Sequence, residues 1–169
     1  MGISVIILTK NSEATIQECL ESVVQNNPQE IIIVDGYSKD KTLDIVRRYT
    51  NKIYFDEGKG ITYARQLGAE KATQEYIAYV DSDVILPPNT LQKMIKDMED
   101  KGWAAIGTHQ IFQERRGKGS FPICHEKLKE TRIVDTRCAI FKRNLVLRYK
   151  FNIALPNCDA ADISYKLIK

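Results

Sequence analysis

Two aspartates, Asp81 and Asp83, directly follow the apolar run "YIAYV" at residues 76–80. Carboxylates this close together at the end of a buried strand repel each other and lose hydration unless a cation or several hydrogen-bond donors compensate them. Hard divalent ions such as Mg²⁺ and Mn²⁺ bind through few protein carboxylates and keep coordination positions for phosphate oxygens. The pair therefore indicates a metal site next to a diphosphate, although a D-x-D pair can also simply cap the turn that follows it.

Three other predicted strands also end in polar side chains. In an open α/β sheet, ligands bind in the crevice beyond the carboxyl ends of the strands. Because parallel neighbours end at the same edge, we expect these side chains to converge with the aspartate pair. Aspartates are common in turns, so the convergence, rather than any single residue, indicates a site. The residues are Thr9, Lys10 and Asn11 after the first strand, Asp35 after the second, and Asp56 and Glu57 after the third.

The elements that must position these residues alternate between strand and helix, which favours a mainly parallel sheet flanked by helices. Strands are predicted at residues 3–8, 30–34, 52–55, 76–80, 103–107 and 133–141. Helices are predicted from Ser12, from Leu43 to Tyr49, from Ile61 to Ala72, from Asn89 or Thr90, and over 160–169. Ser12 and one of Asn89 and Thr90 should cap their helices. The charged stretch 113–122 is predicted to be a mobile loop.

Length and composition favour one globular domain over residues 1–169. A chain of 169 residues buries about two thirds of its unfolded surface on folding. Its 43% of hydrophobic and 28% of charged residues are ordinary for such a domain. The last helical pattern breaks off at the final residue, which is typical of a fragment of a longer protein.

Charge, hydropathy, cysteines and histidines exclude several other classes. A net charge of +3 does not indicate nucleic-acid binding. No apolar stretch approaches the roughly 20 residues that cross a bilayer, and a strand pattern begins directly after Met1, so a cytoplasmic location is predicted. His109 and His125 are too far apart in sequence to indicate a histidine-based site. The cysteines are interpreted as small buried hydrophobes rather than as metal ligands or disulfides; they are Cys19, Cys124, Cys138 and Cys158.

Three segments resemble the inverting glycosyltransferases of family 2, which have the GT-A fold with a Rossmann-like N-terminal half. They are "ISVIILTKNSEATIQECLESVVQN" (3–26), "EIIIVDGYSKDKTLDIV" (30–46) and "GKGITYARQLGAEKATQEYIAYVDSDVILPPNTL" (58–91). The resemblance runs from residue 3 to about 107. It implies a nucleotide-sugar-binding half at 1–107 and an acceptor-side half at 108–169. The sequence departs from the family at Gly36 and Tyr37, where Asp-Gly is usual, and at Gln66, where Asn is usual.

The resemblance also implies roles for particular residues on the donor side. Asp35 would accept a hydrogen bond from the base of a uracil or guanine nucleotide, and Asp83 together with Asp81 would hold Mg²⁺ or Mn²⁺. The implied nucleotide-sugar-binding residues are Thr9, Asn11, Asp35, Lys59, Arg65, Asp81 and Ser82. Asp35 as a turn residue at a strand end, Lys59 as a surface lysine and Asp40 as a helix cap near Thr42 are the structural alternatives.

A glycosyl transfer also needs a general base for the acceptor hydroxyl. The segment "CDAADISYKL" (158–167) resembles the acidic motif that carries this base in the family, but its acids are split. Asp159 and Asp162 are both candidates, with Asp159 favoured because it lies nearer the predicted helix start. Helix-dipole charges are the alternative. The basic residues Arg115, Arg116 and Lys118 are predicted to close over the donor diphosphate or to face an anionic membrane, unless they form a solvated loop.

The function predicted from sequence is therefore a metal-dependent inverting glycosyltransferase. Its donor would be a UDP- or GDP-sugar, and its acceptor a carbohydrate hydroxyl or a lipid-linked group such as a polyprenyl phosphate, the latter with peripheral membrane association. A sugar nucleotidyltransferase is a weaker alternative, since it should carry a glycine-rich phosphate loop where this chain has "LTKNSEAT". A non-catalytic or degenerate nucleotide-sugar-binding domain is the other alternative, because the acidic motif is split.

Overall fold

The computed structural model describes residues 2–107, 109–115, 119–125 and 137–154. The strands are β1 (Ile3–Thr9), β2 (Glu30–Asp35), β3 (Ile53–Phe55), β4 (Tyr76–Asp81), β5 (Ala105–Gly107), β6 (His109–Arg115), β7 (Gly119–His125) and β8 (Cys138–Lys142). The helices are α1 (Ile16–Gln25), α2 (Thr42–Val46), α3 (Ile61–Lys71), α4 (Thr90–Lys101) and α5 (Arg143–Tyr149).

Six strands form one sheet in the order β3-β2-β1-β4-β8-β5. The pairs β3/β2, β2/β1 and β1/β4 are parallel, whereas β8 runs antiparallel to both β4 and β5. The predicted mainly parallel sheet is therefore confirmed. The chain moves outward from β1 to β2 and β3, then crosses to β4 on the other side of β1. That reversal opens a crevice beyond the carboxyl ends of β1 and β4, the place where open α/β sheets bind ligands.

Both faces of the sheet are covered, which explains why its strands are continuous apolar runs. In β1, Ile3, Val5 and Ile7 belong to the core on one face, while Ile6 belongs to the core on the other. The first core also contains apolar residues of α1 and α4, and the second contains residues of α3. Because β1 and β4 are packed from both sides, the loops at their carboxyl ends start from fixed points.

Helix α3 packs unusually close to β1. A Cβ atom added to Gly68 would lie 2.5 Å from Ile6 Cγ2, so only a glycine allows this approach. The Tyr79 hydroxyl on β4 donates a hydrogen bond to the Arg65 carbonyl at 3.0 Å. These two contacts hold the middle of α3, and with it Arg65, against the sheet.

The predicted side-chain caps of α1 and α4 are wrong, although the predicted starts of these helices are close to the observed ones. No side-chain hydrogen bond caps α1 or α4. The Ser12 hydroxyl lies 3.0 Å from the Ser82 hydroxyl, Thr90 Oγ1 donates to the Pro87 carbonyl at 2.7 Å, and Asn89 adopts a left-handed φ of 62°. The Ser12 side chain therefore links two loops instead of capping the start of α1.

The second half of the chain differs from the sequence prediction. Strands β6 and β7 pair antiparallel as a separate two-stranded sheet, which corrects the predicted loop at 113–122 for all of that range except the undescribed residues 116–118. Of the strand predicted at 133–141, residues 138–141 are confirmed in β8, Arg137 lies in a turn, and residues 133–136 lie outside the described ranges. Helix α5 was not predicted. The helix predicted at 160–169 lies outside the described residues.

Two of the predicted buried cysteines are confirmed: Cys19 and Cys138 are both thiols in the hydrophobic core. The side chain of Cys124 and the whole of Cys158 lie outside what the structure describes. No helix within the described ranges is long and apolar enough to span a bilayer.

Candidate active site

The crevice between β1 and β4 is lined by loops that hydrogen bonds hold together. The hydroxyls of Ser12, in the loop after β1, and Ser82, in the turn after β4, are 3.0 Å apart. The Ser12 amide also donates to Thr42 Oγ1, at the start of α2, at 2.7 Å. The ends of β1, β2 and β4 therefore form one connected rim.

The aspartate pair lies on this rim beside a buried arginine. Arg65 is 3% exposed, and its Nη2 lies 3.5 Å from Asp81 Oδ1. The Asp81 side chain keeps 29% of its surface exposed, and Asp83 is exposed. The Asp81 amide donates to the Arg137 carbonyl at 2.8 Å, and the Val84 amide donates to the Asp81 carbonyl at 3.0 Å. The predicted neighbours Arg65, Asp81, Ser82 and Asp83 thus come together at one place.

The residues of this turn fit a hard divalent cation. Two carboxylates two residues apart offer only oxygen ligands, both reach solvent, and one guanidinium compensates part of their charge. In the described part of the chain, His, Cys, Asp and Glu side chains form no group of three or more that could hold a metal ion. Such a metal would therefore depend on Asp81 and Asp83 together with oxygens of a bound diphosphate, as Mg²⁺ commonly does.

Asp35 lies at the same edge of the sheet but is fully buried, with 0% exposure. Its carboxylate accepts hydrogen bonds from Thr9 Oγ1 at 2.8 Å, from the Ser38 amide at 2.7 Å and from the Ser38 hydroxyl at 2.6 Å. In this conformation Asp35 and Thr9 hold the ends of β1 and β2 together. Their contact with a nucleotide stays a prediction.

Asn11 fastens the loop after β1 to the loop after β2. Its backbone amide donates to Ser38 Oγ at 2.8 Å, and its side-chain Oδ1 accepts a hydrogen bond from the Lys39 backbone amide at 2.8 Å. Its φ of 51° lies in the left-handed region. Asparagine tolerates that conformation better than most residues. Asn11 is exposed at the rim, where a ligand in the crevice has access to it.

Asp40 makes the contacts expected of a residue that caps the start of α2. Its carboxylate accepts the amides of Glu13 and of Thr42, the first residue of α2, each at 3.0 Å. Desolvation acts to raise the pKa of Asp40, but the hydrogen bonds from Thr42 and Glu13 outweigh it and lower the pKa. Asp40 therefore fixes the start of α2 and the loop after β1.

Lys59 lies on an exposed loop between β3 and α3. Its Nζ is 2.5 Å from Glu57 Oε2 and 4.5 Å from the centre of the Tyr63 ring. The Glu57 carboxylate raises the pKa of Lys59, so the ammonium stays charged at neutral pH. Within the residues that the structure describes, no contact joins Lys59 to Asp81 or Asp83, and its role in binding the donor stays a prediction.

Some features of the rim were not visible in the sequence. Ser12 and Ser38 connect the loops, but each depends on partners from other strands. Tyr37 and Phe55 form an exposed aromatic stack next to Asp35. The polar turn "DGYSKD" after β2 was the only signal for this region.

The predicted acceptor-side residues lie largely outside the described ranges. Asp159 and Asp162, the candidate bases, belong to residues 155–169, which the structure does not describe. Arg116 and Lys118 are likewise outside it, and Arg115 is the last residue of β6. Their proposed roles rest on the sequence alone.

Solved structures with the same architecture are glycosyltransferases of the GT-A fold. Staphylococcus aureus TarS 1-349 in complex with UDP-GlcNAc superposes with a TM-score of 0.76 at 24% identity, covering 99% of this chain and 53% of that one. The mannosyltransferase PcManGT from Pyrobaculum calidifontis, in complex with GDP-Man and Mn²⁺, gives a TM-score of 0.73 at 23% identity, with 95% and 50% covered. The chain has the GT-A fold.

Sequence comparison assigns the family within this fold. Residues 4–157 match the family described as "Glycosyl transferase family 2", and the chain belongs to that family. EpsH of Bacillus subtilis (strain 168) is 31% identical over 124 residues, which cover 69% of this chain and 36% of EpsH. The chain thus spans about a third of EpsH and about half of the solved TarS and PcManGT chains.

Proposed function

We propose that the chain is the catalytic domain of a metal-dependent inverting glycosyltransferase that uses a UDP- or GDP-sugar. The observation that carries this proposal is the cluster of Arg65, Asp81 and Asp83 at the crevice between β1 and β4. The ligands of the structural relatives support it: TarS was solved with UDP-GlcNAc, and PcManGT with GDP-Man and Mn²⁺.

In this reaction, an acceptor oxygen attacks the anomeric carbon of the donor sugar. The bond from that carbon to the diphosphate oxygen breaks, and the nucleoside diphosphate leaves with the bonding electrons. A carboxylate takes the proton of the acceptor hydroxyl, and Asp159 or Asp162 would have this role. A Mg²⁺ or Mn²⁺ ion held by Asp81 and Asp83 would supply positive charge that stabilises the leaving diphosphate.

Arg65 is well placed to help with the same charge. It is buried, and the close packing of α3 on β1 limits its movement. A preorganised guanidinium stabilises developing negative charge more effectively than a mobile one, since little reorganisation is needed during the reaction. In the absence of donor it neutralises part of the charge of Asp81. With donor bound it would face the diphosphate as well.

The acceptor is proposed at the level of chemical class. It would be a carbohydrate hydroxyl or a lipid-linked group such as a polyprenyl phosphate. One relative, TarS of Staphylococcus aureus strain Mu50, is named a poly(ribitol-phosphate) beta-N-acetylglucosaminyltransferase and is 35% identical over 102 residues. We further propose a cytoplasmic location, with peripheral membrane contact if the acceptor is lipid-linked.

The proposal is tested by hydrolysis of UDP-GlcNAc and GDP-mannose, in which water takes the place of the acceptor, with and without Mn²⁺, measured as release of UDP or GDP. We expect one of the two donors to release its nucleoside diphosphate, and only when the metal is present. The Asp83→Ala variant should lose on the order of 100-fold or more of this turnover, with an unchanged circular dichroism spectrum. Asp100→Ala is the matched control, because it removes an exposed carboxylate from the distant end of α4. Near-normal turnover by Asp83→Ala would contradict the metal site.

A further inference from the structure

The nucleotide base needs a partner other than the one that the family resemblance suggests. Asp35 has 0% exposure, and three hydrogen bonds from Thr9 and Ser38 already occupy its oxygens. A base could reach it only if the loop after β2 opened. The residues around Asp35 offer a more accessible set of groups.

An exposed aromatic stack lies at the carboxyl ends of β2 and β3. The rings of Tyr37 and Phe55 are 5.3 Å apart between centroids and inclined by 23°. Tyr37 is 54% exposed and Phe55 is 39% exposed. Tyr37 has a φ of 61°, a left-handed conformation that bulky residues rarely adopt and that tends to occur at functional sites. A planar ligand could stack on this pair without displacing any part of the core.

A carboxylate with an open acceptor site lies beside the stack. Asp56 Oδ1 accepts the Gly58 amide at 2.9 Å, which orients the carboxylate, whereas Oδ2 has no hydrogen-bond partner within the described part of the chain. A Cβ atom on Gly36 would lie 3.5 Å from Asp56 Oδ2 and 3.2 Å from Lys10 Cδ. The Asp56 side chain thus reaches the space next to residue 36.

We propose that Tyr37, Phe55 and Asp56 bind the base of the nucleotide donor. The base stacks on the Tyr37 ring, and Asp56 Oδ2 accepts a hydrogen bond from its ring N–H. An ionised carboxylate only accepts hydrogen bonds, so it suits uracil or guanine, which carry a ring N–H on their pairing edge. It repels cytosine and adenine, whose ring nitrogen at that place is an acceptor. This inference rests on the proposed use of a nucleotide-sugar donor and specifies the residues that select it.

The first experiment compares nucleotides on the full chain by isothermal titration calorimetry. UDP, GDP, CDP and ADP are titrated in the presence of Mn²⁺. We expect UDP or GDP to bind about tenfold or more tightly than CDP and ADP, as a charged hydrogen bond would require. In Asp56→Asn the amide can donate as well as accept, so the preference for UDP over CDP, or for GDP over ADP, should largely disappear. Asp44→Asn, an exposed carboxylate on α2, is the control and should keep it.

Two further variants separate binding from folding. Tyr37→Gly should weaken the preferred nucleotide by about fivefold or more through loss of stacking. It should not lower the melting temperature, because glycine accepts the left-handed φ. Gly36→Asp in the Asp56→Asn background should restore the lost preference, because Gly36 has space for a side chain if Lys10 shifts.

The outcomes distinguish this inference from the proposed function. Metal-dependent UDP or GDP binding whose base preference survives Asp56→Asn would overturn the inference alone. Unchanged affinity in Tyr37→Gly would also overturn it. Failure of all four nucleotides to bind the folded chain would overturn both the base site and the use of a nucleotide-sugar donor.

Discussion

Glu30 and the Asp81–Asp83 pair are acidic regions at opposite ends of one sheet, and their surroundings differ. Glu30, at the amino end of β2, is 7% exposed. Its oxygens accept hydrogen bonds from Ser4 Oγ and Lys52 Nζ, both at 3.1 Å, and from the Thr73 amide and hydroxyl at 3.1 and 2.6 Å. The chain itself satisfies this carboxylate from every side.

The pair at the carboxyl end has much more contact with solvent. Asp83 is exposed, and the Asp81 side chain is 29% exposed beside Arg65 at 3.5 Å. A carboxylate whose oxygens are occupied by its own chain stabilises the fold, since its desolvation is compensated. An accessible carboxylate keeps acceptor capacity for a ligand. The comparison therefore predicts that stability depends on the amino end and turnover on the carboxyl end.

Removing the cation beside each acidic region should change turnover to very different extents. Arg65→Met should reduce turnover on the order of 100-fold, because it removes a buried positive charge that would stabilise the negative charge developing on the leaving diphosphate. Lys52→Met removes the cation beside Glu30 and should leave turnover within about twofold, because it affects a side chain far from the crevice. Initial rates of nucleotide release by folded protein measure both. Equal losses in the two variants would contradict the assignment of turnover to the carboxyl end of the sheet.

Replacing the carboxylate at the amino end should produce the opposite pattern. Glu30→Gln should lower the free energy of unfolding by about 2 kcal/mol, since a buried acceptor of several hydrogen bonds is altered. That corresponds to a fall of about 4–8 °C in melting temperature for a domain of this size. Turnover at 25 °C should persist in the folded fraction. The exposed Glu75→Gln is the control, and a melting temperature equal to that control would contradict the structural role of Glu30.

The packing of α3 gives a third test, because it supports the carboxyl-end cluster without belonging to it. Gly68→Ala places a methyl group 2.5 Å from Ile6 Cγ2 and should cost about 1–3 kcal/mol of stability through overpacking. Because Arg65 lies one turn earlier on α3, turnover should fall as well. Ile6→Ala removes Cγ2, so Gly68→Ala and Ile6→Ala together should cost less stability than the sum of their separate costs. Chemical denaturation and initial rates measure these changes.

The smallest expected effect concerns pH. Burial acts to raise the pKa of Glu30, but the hydrogen bonds from Thr73, Lys52 and Ser4 outweigh it and lower the pKa. A lowered folded-state pKa stabilises the protein above the ordinary Glu pKa of about 4.3. The stability difference between wild type and Glu30→Gln should therefore be constant near neutrality and shrink as the pH falls below about 4.3. A difference that grows on acidification would contradict the sign of this shift.

Much of the fold could be predicted because the central strands are buried on both faces. Runs such as "ISVIIL" and "YIAYV" have no polar alternation, and that pattern is typical of parallel strands covered on both faces. The hairpin of β6 and β7 was missed because it pairs outside the main sheet and its segment "QERRGKGS" has no apolar periodicity. Helix α5 was missed because its seven residues are too few to show a helical pattern.

The part of the site that lies at the carboxyl ends of the strands could be predicted from the sequence. Asp81, Ser82, Asp83 and Arg65 converge because β1 and β4 are neighbours and α3 packs on β1. The burial of Asp35 could not be read from the sequence, because its partner Thr9 is 26 positions away. The Tyr37–Phe55 stack was missed for the same reason, since it depends on the pairing of β2 with β3.

The metal-dependent donor site can be tested by the thermal stability of wild type and Asp83→Ala with UDP or GDP, each with and without Mn²⁺. A nucleotide at 100 times its dissociation constant adds about 2.7 kcal/mol, which is roughly 5–10 °C for a domain of this size. We expect one nucleotide to raise the melting temperature of wild type only when Mn²⁺ is present, and Asp83→Ala to show no such rise. An equal rise in both proteins, or none in folded wild type, would contradict the metal-dependent donor site.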